Sequence, residues 1–360
     1  LSFEDRKWIA LQQICLGVNL LNPHLSLYTM AGCRKRDFPQ NIFYQQPWWD
    51  LNHLVDDALA RLCLTMSQGK YSANVLLLHP QESAQALWQT RVDRFDDDIT
   101  GPYAGQDWNS LTSAGEEAVK AIEAQFFNCI DRLLGAQRSF DLGDEWILRD
   151  SGKLIHADGV PLLQVEQMNY QVVVIPSMET MMPQTFALLQ QFQLSGGKVL
   201  IYGEPPRLLD GEPSAKLSAW VEMQAVATDE NFETELAALS VASVQIEPDS
   251  TGDRSLFWTH RRDLEDGSRI VFFVNLNRTE TFSGVASVDG EWGSVMRMNE
   301  DSGQQEVVGP LSAGEGATRL SIDLAPCECR VFHLRAEYVE AVSKQPSNRC
   351  DLEVTQTLNL

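Results

Sequence analysis

The sequence lacks the features of a membrane-spanning or nucleic-acid-binding chain. No apolar run approaches the ~20 residues that cross a bilayer. Basic residues are scarce, since 28 Lys and Arg face 50 Asp and Glu, for a formal net charge of −22. Because phosphate binding needs a basic protein face, this balance argues against nucleic acid. We therefore expect no nucleic acid and no membrane as partner, and localisation and oligomeric state stay open.

Several catalytic motifs are also absent. The chain contains no GxSxG nucleophile elbow, no HExxH and no CxxC. It has no Walker pattern and no GxGxxG after a strand, and the glycines of SGGKVLIYGEPP precede an apolar run instead of following one. These absences argue against nucleotide binding.

Cysteine usage does not indicate a disulfide framework or a zinc ribbon. The chain has seven cysteines, so at least one would be left over if the others formed disulfides. Their spacing fits neither a zinc site nor a redox pair. Cys15 and Cys63 fall on apolar helix faces, which favours a role in core packing. This usage leans towards a reducing compartment.

The first 72 residues alternate helix and strand. Ser2 with Asp5 predicts a capping-box start for a helix that runs to residue 16, where Gly17 follows. The run VNLLN then predicts a short buried strand. After a long loop, Asp50 is expected to cap a helix whose apolar stripe runs from 51 to 66. Both helices carry wide apolar stripes, which we expect to need further strands to cover them.

The middle of the chain predicts a doubly wound α/β domain. Three continuous apolar runs at 74–79, 171–175 and 198–202 predict buried parallel strands, and helices are predicted at 112–134 and 183–194. KLIHADGVPLLQV predicts an exposed hairpin. Beyond residue 250, alternating segments with turn residues at short spacing predict an all-β sandwich.

The strongest candidate site is the loop after VNLLN. In a (β/α)₈ barrel, functional groups follow the carboxyl ends of strands. Cations with a carboxylate suit an oxygen-rich ligand, and aromatic faces suit the apolar face of a sugar ring. On the residues alone, the interpretation we favour is a solvated loop with its tryptophans in the core. The candidates are His24, Tyr28, Arg34, Lys35, Arg36, Asp37, Trp48 and Trp49.

A second candidate is FDLGDEWIL, with Asp141, Asp144 and Glu145. Glycoside hydrolysis needs paired carboxylates, and hard cations also bind carboxylates. Such residues more often form a turn and a helix cap, which is the interpretation we favour.

The stretch GVNLLNPHLSLYTMAGCRKRDFPQNIFYQQPWWDLNHLVDDALARL resembles the last part of the catalytic barrel in α-L-rhamnosidase-like glycoside hydrolases of family 106. FDLGDEWIL, YQVVVIP and SGGKVLIYGEPP resemble the flavodoxin-like domain after that barrel, which is similar to the trimerisation-type domain of some β-galactosidases. WTHRR…GSRIVFFVNLN resembles the β-sandwich that comes next. The residues that carry the barrel resemblance are Gly17, Val18, Asn19, Pro23, His24, Gly32, Arg34, Lys35, Asp37, Pro39, Pro47 and Trp48.

This resemblance implies a multidomain α/β plus β fold. Residues 1–72 would be the C-terminal end of a (β/α)₈ barrel, 73–245 a flavodoxin-like α/β domain, 246–336 a β-sandwich, and 337–360 a linker or the start of a further domain. His24, Tyr28, Lys35, Asp37 and Trp48 would line the rim of the substrate site. No catalytic residue can be carried onto this chain, because the family's catalytic Glu lies on the barrel strand before the helix that begins at Ser2.

The resemblance also implies a function. We expect a fragment of a glycosidase that cleaves α-L-rhamnosides or related glycans, inverting through two carboxylic acids upstream of Leu1. The fragment alone is expected to be inactive and to need no cofactor, with calcium assisting sugar binding in the full-length enzyme. The alternative is a non-catalytic carbohydrate-binding or assembly protein. A third possibility keeps the enzyme but changes the sugar to a β-galactoside or another deoxyhexose.

Overall fold

The computed structural model describes residues 2–24, 29, 31–32, 42–88, 114–239, 242–249 and 255–337. The chain divides into two compact units. The central unit is Tyr71–Thr259, and the split unit joins Leu1–Lys70 to His260–Leu360. The boundaries predicted after residues 72, 245 and 336 stay a prediction.

Helices occupy eight stretches of the described residues, besides one turn of 3-10 helix at Trp49–Leu51. They are α1 Phe3–Cys15, α2 Asn52–Met66, α3 Gln81–Leu87, α4 Ala114–Gly135, α5 Glu145–Ser151, α6 Pro183–Leu194, α7 Ala215–Val221 and α8 Phe232–Leu239. None of these described helices is long and apolar enough to span a bilayer.

The strands up to the end of the central unit's parallel sheet are β1 Lys70–Tyr71, β2 Val75–Leu78, β3 Phe140–Gly143, β4 Gly152–Ala157, β5 Val160–Val165, β6 Met168–Tyr170, β7 Val172–Ile175, β8 Thr180–Met181, β9 Lys198–Tyr202, β10 Leu208–Leu209, β11 Glu212–Pro213 and β12 Ala225–Ala227. Those that follow are β13 Val244–Pro248, β14 Phe257–Asp263, β15 Arg269–Asn275, β16 Phe282–Asp289, β17 Ser294–Met298, β18 Gln305–Val308, β19 Ser312–Gly314, β20 Ala317–Leu324 and β21 Cys329–Arg335.

The central unit is built on a five-stranded sheet in the order β3-β2-β7-β9-β12. Every neighbouring pair in this sheet is parallel. Numbered along the chain, the strand order is 2-1-3-4-5. All four residues of β2 and of β7 are buried, because helices cover both faces of the sheet.

Each face of this sheet has its own core. Leu76 and Leu78 of β2 pack in a cluster with Phe186 and Leu189 of α6. The alternate residues of the strand, such as Val75, belong to the opposite cluster, which holds residues of α4 and α8. The predicted strands and helices of this region are present, with helices on both faces of the sheet.

Two small sheets complete the central unit. β4, β5 and β6 form an antiparallel sheet, so the predicted hairpin is present and gains a third strand. Its turn places Asp158 and Gly159 at φ 51° and 79°, the positive values that a two-residue type I′ hairpin turn requires. β8 pairs with β10, which pairs with β11.

The split unit combines the first two helices with antiparallel sheets. One sheet contains β14-β15-β21-β17-β18 in that order, and another contains β16-β20-β19. β21 pairs antiparallel with β15 and β17, and β20 pairs antiparallel with β16 and β19. Every residue of β15 is buried, since α1 packs against this strand.

The N-terminal helix begins as predicted. Ser2 is the N-cap of α1, and its hydroxyl accepts a hydrogen bond from Asp5 N at 3.0 Å while the Asp5 carboxylate accepts from Ser2 N at 2.9 Å. Gly17 follows with φ 101°. The apolar face of α1, with Leu11 and Ile14, is buried. Part of the apolar stripe of α1 is covered within this chain, because α1 packs on β15 and on α2. That barrel strands cover the rest stays a prediction.

Two local predictions in this region were wrong. VNLLN forms neither strand nor helix, since an apolar run becomes a strand only where a neighbouring strand pairs with it. Asp50 does not cap α2: it lies in the 3-10 turn, and Leu51 occupies the N-cap without a side-chain hydrogen bond. The described residues form a mixed α/β structure of several sheets in which no barrel closes.

Candidate functional site

A groove lies in the split unit between α1, α2 and residues 18–24. Its volume is about 890 Å³, inside the ~300–1,000 Å³ range of ligand pockets. The lining is mostly apolar with a few polar groups. It consists of Arg6, Ile9, Ala10, Gln13, Val18, Asn19, Leu20, Leu21, Asn22, Pro23, His24, Ile42, Asp56, Leu59, Ala60 and Cys63.

A charged cluster joins the two helices at this groove. The Arg6 guanidinium donates to Asn52 Oδ1 at 2.5 Å and to Asp56 Oδ1 at 2.8 Å. Asn52 Nδ2 donates to the other Asp56 oxygen at 2.5 Å. The Arg6 side chain is largely buried, whereas that of Asp56 is half exposed. The carboxylate of Asp56 is therefore fixed by two hydrogen bonds and is still accessible to solvent.

Residues 18–24 form the third wall. Val18 N donates to Gln13 O at 3.0 Å, which fixes the start of this segment against the end of α1. The Leu21 amide is hydrogen-bonded to the Cys63 sulfur of α2. Because Pro23 restricts the backbone of the residue before it, Asn22 is held away from helical geometry. The segment thus places Asn19, Asn22 and His24 along the groove.

Of the five predicted rim residues, the described lining of the groove contains one, His24. Trp48 instead packs edge-to-face on Phe3, with ring centroids 5.2 Å apart and an interplanar angle of 78°, and it does not contribute to the described lining. Tyr28, Lys35 and Asp37 lie outside the described residues.

Several leucines of the first 66 residues are exposed. Leu20, which lines the groove, is 82% exposed, and Leu16, Leu54 and Leu64 are each more than half exposed.

The carboxylates of FDLGDEWIL have structural roles, as we favoured. Asp144 caps α5, accepting from Trp146 N at 2.8 Å and Ile147 N at 3.1 Å. Glu145 Oε2 accepts from Met182 N at 2.8 Å, and Asp141 accepts from the Tyr170 hydroxyl at 2.9 Å. Burial raises the pKa of both Asp141 and Glu145. Asp144 thus caps a helix, whereas Asp141 and Glu145 each accept a hydrogen bond from another part of the same unit.

The described residues contain no metal-binding cluster. No group of three or more His, Cys, Asp or Glu side chains among them could hold an ion. Calcium in a longer protein therefore stays a prediction. The described cysteines Cys15, Cys63, Cys129, Cys327 and Cys329 are thiols.

Sequence reasoning missed Arg6 and Asp56. They are 50 positions apart on different helices, and each is unremarkable in its local pattern. In the sequence, each residue lies beside the apolar stripe of a predicted helix. Many solvated charged residues have the same position, so this pattern does not single out Arg6 or Asp56.

Comparison with known proteins gives fold similarity only. No protein-family model matches the chain. No curated protein matches it either. A rhamnosidase from Novosphingobium sp. PP1Y superposes with a TM-score of 0.64 at 15% identity, covering 96% of this chain and 31% of that one. The chain thus spans about a third of the length of that enzyme and shares its fold there.

Two further solved structures match less of the chain. A beta-galactosidase from Bacillus circulans sp. alkalophilus has a TM-score of 0.46 at 11% identity, over 78% of this chain and 44% of its own. The apo exo-carrageenase GH42 from Bacteroides ovatus has a TM-score of 0.42 at 12% identity, over 79% of this chain and 32% of its own. All three neighbours are glycoside hydrolases.

Proposed function

We propose that this chain is the C-terminal part of a glycoside hydrolase that acts on α-L-rhamnosides or related glycans. The observation that carries the proposal is the fold shared with a rhamnosidase over 96% of the chain. Residues 1–72 would be the end of its barrel, 73–245 a flavodoxin-like domain, 246–336 a β-sandwich, and 337–360 a linker or the start of a further domain.

The sheet topologies support this division. The parallel order 2-1-3-4-5 in the central unit is that of flavodoxin-like doubly wound sheets. The antiparallel sheets of the split unit, with the alternating burial of β16 and β20, suit a β-sandwich. The exposed Leu20 of the groove and the exposed leucines of α2 suit a surface that further barrel elements cover.

In this proposal the groove forms part of the substrate rim. The imidazole of His24 and the carboxylate of Asp56 can exchange hydrogen bonds with sugar hydroxyls. Arg6 holds Asp56 in place through a hydrogen bond of 2.8 Å. Tyr28, Lys35, Asp37 and Trp48 remain proposed rim residues.

The catalytic acids would lie outside this chain. An inverting glycosidase needs two carboxyl groups ~6.5–9.5 Å apart, which leaves room for the attacking water. Asp56 is the one acidic residue among the described lining of the groove. The chain alone would therefore bind sugar weakly without cleaving it, and calcium would assist sugar binding only in the longer enzyme.

A second candidate function is a non-catalytic carbohydrate-binding or assembly protein. A groove with a single described carboxylate favours this interpretation as much as it favours an incomplete active site. The glycosidase and the binding protein predict different DNA sequences upstream of the codon for Leu1. A frame that encodes barrel strands, with a Glu shortly before Ser2, supports the glycosidase, whereas a start codon there supports the binding protein.

The direct test uses the purified chain with methyl α-L-rhamnoside and p-nitrophenyl α-L-rhamnoside. We expect ligand-dependent NMR shifts in α1 and α2, reduced by His24→Ala and Asp56→Asn, and no release of p-nitrophenol. His53→Ala is the matched control, since this exposed imidazole on α2 bonds to Asp50 O and does not line the groove. Turnover by the chain, or shifts that His24→Ala leaves unchanged, would overturn the proposal.

A further inference from the structure

A second cleft lies in the central unit, between α3 and α4. Its volume is about 410 Å³, which falls in the ~300–1,000 Å³ range of small-molecule sites. Its apolar lining residues include Ala84, Val119, Ile122 and Phe126. The groove described above belongs to the other unit, so this cleft is a separate site.

The walls of the cleft combine amides, a carboxylate and aromatic rings. Gln81 and Gln85 are four residues apart and share one face of α3. Glu123 and Phe127 have the same spacing on α4. Trp88, just after α3, is 54% exposed and Phe127 is 55% exposed. Polar hydrogen-bonding groups, open aromatic surface and apolar side chains thus line the same cleft.

The cleft opens beside the carboxyl end of β2, which is a central strand of the parallel sheet. Ligands of open α/β sheets bind outside the carboxyl ends of the strands. His79 and Pro80, which line the cleft, directly follow β2, and the His79 ring lies 5.1 Å from that of Phe126.

We propose that this cleft binds an uncharged pyranose ring, with Trp88 and Phe127 against its C–H face and Gln81, Gln85 and Glu123 bonded to its hydroxyls. Charge favours a neutral ligand over an anionic one. The described lining contains no Lys or Arg, while Glu123 is in the wall and Glu82 is on the same short helix as the two glutamines. An amide carbonyl or a carboxylate accepts from a hydroxyl, and an amide N–H₂ donates to one.

The test is saturation-transfer NMR on the purified chain with methyl α-L-rhamnoside, methyl β-D-galactoside and methyl β-D-glucoside as probes. Aromatic protons of the protein should transfer saturation to the ring C–H protons of at least one sugar. Trp88→Ala and Phe127→Ala should each weaken this binding about tenfold. Glu123→Gln, an exposed and conservative change, should weaken it less, since the amide still accepts one hydrogen bond.

Two controls separate this site from the rest of the protein. Met223→Ala alters an exposed apolar side chain of the same unit that does not line the cleft, and it should leave the transfer unchanged. In a His24→Ala background, where the groove of the split unit is impaired, Trp88→Ala and Phe127→Ala should still weaken the transfer, so failure of the proposed rim and failure of this cleft are distinguishable. Absence of transfer to all three sugars would overturn the proposal. Transfer in the His24→Ala background that survives both aromatic variants would overturn it as well.

Discussion

Lys7 Nζ lies 3.3 Å from Glu300 Oε1, which joins the first helix to the turn after β17. The Glu300 side chain is nearly buried and that of Lys7 is a quarter exposed. Arg61 of α2 donates to the backbone oxygens of Glu300 and Asp301 at 3.1 and 2.9 Å. Burial acts to lower the pKa of Lys7, but the carboxylates of Glu300 and Asp301 outweigh it and raise that pKa. Both α1 and α2 are therefore bonded to the turn at Glu300 and Asp301.

Removing Lys7 should destabilise the split unit. Lys7→Met leaves the Glu300 carboxylate buried without its partner, and we expect a loss of about 3 kcal/mol in the free energy of unfolding. Urea denaturation, with hydrogen exchange of the α1 amides to report on this unit, measures the loss. Adding Glu300→Gln to Lys7→Met should recover most of it.

The matched comparison is the exposed pair Arg297–Glu306 on β17 and β18. Arg297→Ala should change the free energy of unfolding by less than about 1 kcal/mol, because exposed ion pairs contribute little. Equal losses in the two variants would contradict the role assigned to burial.

Gly69 should tolerate no side chain. It has φ 60°, and a Cβ there would lie 2.4 Å from the backbone oxygen of Asp263. Gly267 has φ 79°, but a Cβ there meets no atom within 4 Å, which makes it the matched control. Gly69→Ala should cost about 3 kcal/mol, and Gly267→Ala about 1 kcal/mol from the positive φ alone. Thermal unfolding of the two variants measures the difference, and similar losses would show that the close contact with Asp263 does not limit this position.

His260 should make the split unit sensitive to acid. Burial lowers its pKa from 6.5 to about 4, and its Nδ1 lies 2.9 Å from Cys15 O. Between these two values the unfolded chain binds the proton and the folded chain does not, so stability is lost as pH falls below 6.5. We expect a loss of about 2 kcal/mol from about pH 7 to about pH 5. Denaturation at both pH values measures it, and His260→Gln should remove this part of the pH dependence.

Glu145 should act in the opposite direction in the central unit. Burial raises its pKa, although the Met182 amide and the Thr185 hydroxyl oppose this. As pH rises above the ordinary value of 4.5, the unfolded chain ionises first, so the free energy of unfolding falls. In Glu145→Gln the free energy of unfolding should not decrease in this way, as denaturation at a series of pH values above 4.5 would show. Glu222→Gln, which alters an exposed carboxylate of the same unit, should follow the wild type.

Helices and buried strands could be predicted where a local pattern determines them. The Ser2–Asp5 capping box places the start of α1, and Pro183 occupies the first turn of α6, where its missing N–H costs nothing. The apolar runs at β2, β7 and β9 predict strands because both faces of a parallel sheet are covered.

The candidate site was harder to predict, because it depends on contacts between distant residues. Arg6 meets Asp56 only through the packing of α1 on α2, and no local pattern encodes that pairing. The strand predicted at VNLLN failed for the same reason, since its apolar residues indicate burial but do not supply a strand to pair with. His24 was found because it follows that apolar run.

The interrupted course of the split unit has a consequence for synthesis on the ribosome. Its two parts are separated by the whole of Tyr71–Thr259, so α1 and α2 emerge long before β15, on which α1 packs. At ~5–20 residues per second, the ribosome needs on the order of 10–40 s to make the intervening chain. During that interval the face of α1 that packs on β15 lacks this strand, and a nascent chain stalled there should require a chaperone to stay unaggregated.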